Sequence, residues 1–412
     1  MKRFRWLTPG LWAVAAILAL RLVVVAASAV VTPSNAFVAH YAAARVVVEG
    51  GDAARFYDDA WFREQVSRFE PTVEDVFWAN PPTMSLLTLP VAWTPYRVAR
   101  GLWICGSLLL LFGTVAWLMR RLDLRGGWAA AFACLAFVAH PVRENLGHGQ
   151  VYILALALVT AAWWGYRGPR EPLLGTPMGV LLATKTTALM LWPLLLAQRR
   201  WRGLGWGAGT AVALVAVSLP FIGAAAWRSY ASEVAALPSE PLLAVTAFQT
   251  VPSFFRHLMG PGDVRVGAPL FGRPLLAEVA TWGCGAALLG ASLIAAHRVG
   301  RSDTLFAAFV LLGLVLSPVS SEAHYVMALL PIALLAAELP RRGVPAAGAS
   351  VLALGATLIA ADVPFRSPRL MDGLAALLAY PRLYGALLLW GLAMVWSVRV
   401  ARSVPLDPTR TS

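Results

Sequence analysis

Long apolar runs decide what this chain can fold into. The plainest are Leu11–Val31, Leu102–Met119, Leu204–Ile222, Leu275–Ala296, Val351–Ala361 and Tyr384–Val398. A bilayer core is crossed by about 20 mostly apolar residues in a helix, and buried or tilted helices manage with fewer. In lipid every backbone N–H and C=O needs an internal partner, so these runs are helices rather than open sheet. Charge is correspondingly sparse. Only 13% of residues are charged and 59% are hydrophobic, where a soluble domain carries about 25% charged residues. The basic start, Met1-Lys-Arg-Phe-Arg5, resembles a signal peptide, but the run behind it is too long and lacks a small-residue cleavage site.

The arrangement of charge predicts a topology. Lys and Arg cluster at Lys2/Arg3/Arg5, Arg120/Arg121/Arg125, Arg167/Arg170, Arg199/Arg200/Arg202, Arg298/Arg301, Arg341/Arg342 and Arg399/Arg402/Arg410. Placing all of these in the cytoplasm satisfies the positive-inside rule. It gives an all-α polytopic protein of about 12 transmembrane helices with both termini cytoplasmic, and the Ala-, Leu- and Arg-rich composition suits a bacterial inner (plasma) membrane. Parity then requires Leu173–Ala197 to split at Lys185 into two short helices. The calculated pI near 10.5 therefore reflects membrane orientation, and no nucleic-acid partner is expected. The cysteines Cys105, Cys134 and Cys284 all lie in apolar runs without metal spacing.

The long loops all fall on the extracytoplasmic side. The first covers 32–80 and the second 225–274, within a single domain spanning 1–412. Long loops on a rigid scaffold are where function concentrates. In the first, Phe37–Val48 reads as an amphipathic helix with Phe37, Tyr41, Ala44 and Val48 on one stripe, and Asp59–Phe69 as a second. Both are expected along the membrane interface, anchored by Trp61 and Phe62. Thr83–Val91 is apolar but too short to span, and suits a re-entrant half-helix. An ionisable residue among apolar helices is a functional candidate by default. Lys185 is the clearest, able to hold a phosphate as a point charge. Arg21, deep in the first run, is expected to pair with a carbonyl or acid of a neighbouring helix.

Several motifs in this order resemble glycosyltransferase family 87, integral-membrane enzymes of the C-type architecture. They are Tyr41-Ala-Ala-Ala-Arg45 with Gly50-Gly-Asp52 and Tyr57-Asp58; Asn80-Pro-Pro82; Glu144-Asn-Leu-Gly-His-Gly-Gln150; Lys185-Thr-Thr187; Phe248-Gln249-Thr250; and Ser317-Pro318 with His324-Tyr325. The resemblance implies transfer of a hexose, mannose above all, from a polyprenyl-phosphate donor to a lipid or glycan acceptor of the cell envelope. Neither a cofactor nor a metal is implied, and no Asp-x-Asp motif occurs. In the family an Asp precedes the first-loop Phe and is the expected base; here Ala36 stands before Phe37.

Such a reaction needs a base for the acceptor hydroxyl, cations for the leaving phosphate and a groove open to lipid. Asp58, Asp52 and Glu144 are the candidate bases, although Asp52 and Asp58 also sit where helix caps belong. Lys185, His324, Gln150, His148, Asn80, Gln249 and Arg143 are the candidate substrate-binding residues. The histidines do not form a zinc pattern. Two rival readings are a non-catalytic relative that binds a lipid-linked sugar, and a transporter. The latter is disfavoured by the absence of repeat symmetry.

Overall fold

A computed structural model describes residues 8–78, 80–186, 189–262 and 267–403. Among them the regular structure is helical, with an isolated antiparallel bridge between Phe248 and Ser321. The first part comprises α1 (Thr8–Val31), α2 (Phe37–Val48), α3 (Asp59–Ser67), α4 (Met84–Leu87), α5 (Tyr96–Arg121) and α6 (Gly126–Val138). Next come α7 (His140–His148), α8 (Tyr152–Arg167), α9 (Glu171–Thr184), α10 (Leu191–Ala197), α11 (Trp201–Ala236) and α12 (Val251–Met259). The rest are α13 (Pro274–Val299), α14 (Asp303–Leu316), α15 (Leu329–Arg341), α16 (Ala346–Ala360) and α17 (Pro381–Ser403).

Six of the described helices are long and apolar enough to cross a membrane: α1, α5, α11, α13, α15 with its 3-10 lead-in from Glu322, and α17. Their positions in the bundle differ. On α1, α11 and α13 large apolar side chains such as Ile17, Val212 and Trp282 stand exposed, 67%, 67% and 72% accessible. On a membrane protein such a surface faces lipid. By contrast α14 is buried almost all round, from Thr304 to Leu312, as a helix in the middle of a bundle must be.

The run 173–197 is two helices, α9 and α10, with Lys185 just past the end of α9. Helix α9 packs on α11 through glycines. A Cβ at Gly175 would lie 2.2 Å from the Gly203 carbonyl oxygen, and one at Gly179 would lie 2.3 Å from that of Gly207. The i, i+4 glycine pairs of both helices thus let the backbones touch, the packing mode that membrane helices favour.

Three expectations need correction. Helix α2 is not an interfacial amphipath. Phe37 through Ala44 are all buried, because its small Ala39, Ala42, Ala43 and Ala44 let neighbours close over the face that the pattern left to solvent. Phe62 is likewise no lipid anchor. It is fully buried and packs edge-on against Phe56 and obliquely against Phe77, so the first loop has its own aromatic core. Trp61 lies under the Arg55 guanidinium. Arg21 has neither an ion pair nor a side-chain hydrogen bond among the described residues; the buried stripe Ala15, Leu22, Ala26 and Ala29 turns α1 so that Arg21 faces outward. In addition, the second loop begins later than its composition suggests. Helix α11 continues to Ala236 across a break at Gly223, where φ is +79°. Pro220 removes one helical hydrogen bond, and Gly223 adopts the left-handed backbone that lets the chain resume.

Candidate active site

The segment after α3 carries the site. Helix α3 ends at Ser67, and residues 73–77, without regular structure, lead towards the Asn80-Pro81-Pro82 turn. Two consecutive prolines cannot donate backbone hydrogen bonds, so side chains fix the turn. The Tyr57 hydroxyl donates to the Asn80 carbonyl at 2.6 Å, and Asn80 Nδ2 to the Phe77 carbonyl at 3.1 Å. Thr83 Oγ1 donates to the Ala183 carbonyl at the end of α9. This stitching brings Asn80 Oδ1 to 2.5 Å from Lys185 Nζ.

Lys185 is half-buried, and its ammonium lies 5.3 Å from the centre of the Tyr152 ring. On Tyr152 rests His324, with ring centroids 3.8 Å apart. His324 Nδ1 accepts the Ser321 N–H at 3.1 Å in a capping box. The proton of the neutral ring therefore sits on Nε2, which becomes a donor. Lys185 and His324, two of the residues picked from sequence, thus stand about one aromatic ring, and Asn80, a third, holds the lysine. Gln150 is half-buried, with no side-chain hydrogen bond among the described residues.

Asp75 is a further first-loop carboxylate, which the sequence did not set apart from Glu70 and Glu74. Its Oδ2 accepts the Ala36 N–H at 2.6 Å and its Oδ1 the Val76 N–H at 3.0 Å. Lys185 and His148 act on it electrostatically. Loss of water raises its pKa above the usual aspartate value; those two backbone donors and then Lys185 oppose the shift without cancelling it.

The other carboxylates are engaged elsewhere. Asp52 Oδ1 accepts the Ala54 N–H at 3.0 Å. Asp58 Oδ1 caps α3 through the Trp61 N–H at 3.1 Å, and its Oδ2 pairs with Arg55 at 3.0 Å. Both are N-caps, the role their sequence positions also allowed. Glu144 lies on α7, 3.4 Å from His148 Nε2. Burial raises its pKa, but the hydrogen bond and charge of His148, then His140, outweigh this and lower it to about 2. Gln249 is fully buried. Its Nε2 donates to the Thr246 and Ala379 carbonyls and its Oε1 accepts the Arg382 N–H, so its amide ties loops together.

Arg143 belongs to a network beside the site. It pairs with Asp362 at 2.9 Å, and His140 Nε2 lies 3.1 Å from the same carboxylate. Glu322 is held by Arg366 at 2.8 Å and by the fully buried Arg382 at 3.2 Å. His140, Glu144 and Glu322 present ligand atoms within 4.8 Å of one another. The Arg382 Nη2 occupies that space, 3.2 Å from His140 Nδ1, so the group is already neutralised by guanidinium charge.

Next to Lys185 an apolar groove of about 540 Å³ lies between α9 and α11. It is lined by Pro81, Leu182, Thr186, Val212, Trp227 and Tyr230, among others. Pro81 and Thr186 adjoin Asn80 and Lys185, while Val212 belongs to the exposed apolar surface. The groove therefore joins the membrane-facing side of the bundle to the polar centre.

A polytopic helical membrane protein with an apolar groove beside a cation and hydrogen-bonding groups is the class that fold and site define. The chain belongs to glycosyltransferase family 87, whose model matches residues 78–321. It is 28% identical over 285 residues to the "Polyprenol-phosphate-mannose-dependent alpha-(1-2)-phosphatidylinositol pentamannoside mannosyltransferase" of Mycobacterium tuberculosis (strain CDC 1551 / Oshkosh), covering 67% of this chain and 61% of that protein. It is 27% identical over 157 residues to the protein of the same name from Mycolicibacterium smegmatis (strain ATCC 700084 / mc(2)155), covering 36% of each. The chain thus spans at most 61% of the length of these relatives. No solved structure matches it.

Proposed function

We propose that the protein transfers a hexose, most readily mannose, from a polyprenyl-phosphate donor to a lipid or glycan acceptor at the extracytoplasmic face of a bacterial inner membrane. The observation that carries this reading is the Lys185 ammonium held by Asn80, with their chain neighbours Thr186 and Pro81 lining the α9–α11 groove. The polyprenyl chain lies in the groove among Leu182, Val212 and Trp227. The donor phosphate meets Lys185 and His324 Nε2, and the sugar lies towards Gln150 and His148. Asn80 holds the ammonium in place, while Gln249 and the Arg143 network brace the surrounding loops. The chain acts as one integral-membrane unit of about 12 spans, with both termini cytoplasmic. In the reaction the acceptor oxygen attacks the sugar C1. The bond from C1 to the phosphate oxygen breaks, and its electron pair leaves on the polyprenyl phosphate, whose added charge faces Lys185.

Purified protein given radiolabelled polyprenyl-phosphate mannose and an envelope-lipid extract is expected to form a labelled glycolipid. Label that stays on the donor at every acceptor concentration, while the protein still binds that donor, would refute the catalytic reading.

A further inference from the structure

We propose that Asp75 is the general base of the transfer, the group that takes the proton from the acceptor hydroxyl as its oxygen bonds to the sugar carbon. The assignment rests on the transferase reading above, and geometry selects the residue. Asp75 lies five positions before Asn80, whose side chain holds the Lys185 ammonium. Its carboxylate is oriented by two backbone N–H groups, those of Ala36 and Val76. A carboxylate offers about four acceptor positions, so two donors fix its direction and leave sites for a substrate proton.

The contact with Ala36 has a conformational cost. Ala36 sits at φ +78°, ψ −76°, the γ-turn conformation that is rare and strained for a residue with a Cβ. It serves as the N-cap of α2 without a side-chain cap. The strained turn directs its N–H to Asp75, and such strain persists where a site is held in a fixed geometry.

Three carboxylates of the first loop and α7 are poorer bases. Asp58 caps α3, bound by Arg55, and its capping N–H and that arginine keep its pKa low. Glu144 is held down by His148, and the buried Glu70 lies 3.8 Å from Arg97. Asp75 alone among these combines an orienting backbone with a raised pKa, and a base works best when its pKa approaches the working pH. In the reaction the hydroxyl proton moves to Asp75, the oxygen lone pair forms the new C1–O bond, and the leaving pair departs on the polyprenyl phosphate beside Lys185. The charged and titratable groups acting on Asp75 are Lys185 and His148.

The test is Asp75→Asn in the full-length protein. The amide oxygen can still accept the Ala36 N–H, while the amide nitrogen that replaces the other oxygen cannot accept the Val76 N–H, so the longer-range contact survives while the base is lost. With polyprenyl-phosphate mannose and a phosphatidylinositol mannoside acceptor, kcat should fall by about 10² to 10⁴-fold, with donor affinity unchanged and the melting temperature lowered only by the loss of the Val76 contact. Asp75→Glu should recover part of kcat. In the wild type, kcat should rise with pH through a midpoint above the ordinary aspartate range, and Asp75→Asn should lack that limb. A kcat for Asp75→Asn within about twofold of wild type, well above that expected loss, would overturn the base and leave the transferase reading intact. Wild-type protein that binds donor without turnover overturns both. Should Asp75→Asn fail to fold, an acid limb unmoved in Asp75→Glu overturns the base.

Discussion

Replacing Lys185 with Met isolates the electrostatic part of the proposed mechanism. Methionine keeps much of the length and apolar stem of lysine and removes only the ammonium. In the donor the phosphodiester carries one negative charge, and the departing polyprenyl phosphate carries two. The cation therefore stabilises the charge that develops between ground and transition state. Two unit charges about 4 Å apart at an effective dielectric of 20 interact by about 4 kcal/mol. With half of the added charge developed, the differential stabilisation is about 2 kcal/mol, or roughly 30-fold in kcat at 1.4 kcal/mol per decade. Loss of one preorganised donor at a developing oxyanion elsewhere costs about 10² to 10³-fold, so 30-fold is the low end. Donor affinity should also weaken, because the ground-state phosphate already carries one charge. Folding should be little affected: the partner left behind is the neutral Asn80 amide, and no ion pair is broken. The assay is steady-state transfer with varied donor, alongside a melting curve. A Lys185→Met protein that melts like wild type and keeps kcat within about threefold, below that 30-fold loss, would refute the role of this cation.

Filling the groove with Ala216→Trp should raise KM about tenfold, or 1.4 kcal/mol, for a long-chain donor and leave a short-chain analogue unchanged; equal effects on both would argue against the groove as the lipid site. Gly179→Val should separate α9 from α11, since a Cβ there meets the Gly207 carbonyl at 2.3 Å. A loss of about 1–3 kcal/mol is expected from such overpacking, read as a lower melting temperature. Arg382→Met leaves Glu322, 5% exposed, without one of its two guanidinium partners. Breaking a buried pair costs about 3–5 kcal/mol, and the double variant with Glu322→Gln should be closer to wild type than the single. Glu144 has a folded pKa of about 2 against an ordinary 4.5. Its stabilisation is therefore complete above pH 4.5 and lost as pH falls towards 2. Glu144→Gln should flatten that acid limb of the melting temperature; an unchanged limb would refute the linkage.

Much of this protein is determined by composition and periodicity. Apolar runs in a chain with few charges must be helices in lipid, because the backbone has no other partner there. That requirement is local and survives without knowledge of neighbours. Lys185 was visible for the same reason: a charge surrounded by apolar residues is costly wherever the helices pack. Asn80 and His324 were visible as motifs, although their grouping about Tyr152 was not. The tertiary structure decided the rest. Whether Phe37–Val48 lies on a membrane or inside the protein depends on what covers its alanines, and period alone is silent on that. Asp52 and Asp58 as caps and Asp75, hydrogen-bonded to the Ala36 backbone, differ in long-range contact, not in residue type. Asp75 meets the backbone of a residue 39 positions away, and nothing in the local sequence around either residue encodes that distance. The groove likewise is lined by α9, α11 and Pro81 from the first loop, three segments far apart in sequence. A sequence read along one strand of chain can specify each helix, but a site assembled across loops exists only once those helices have packed.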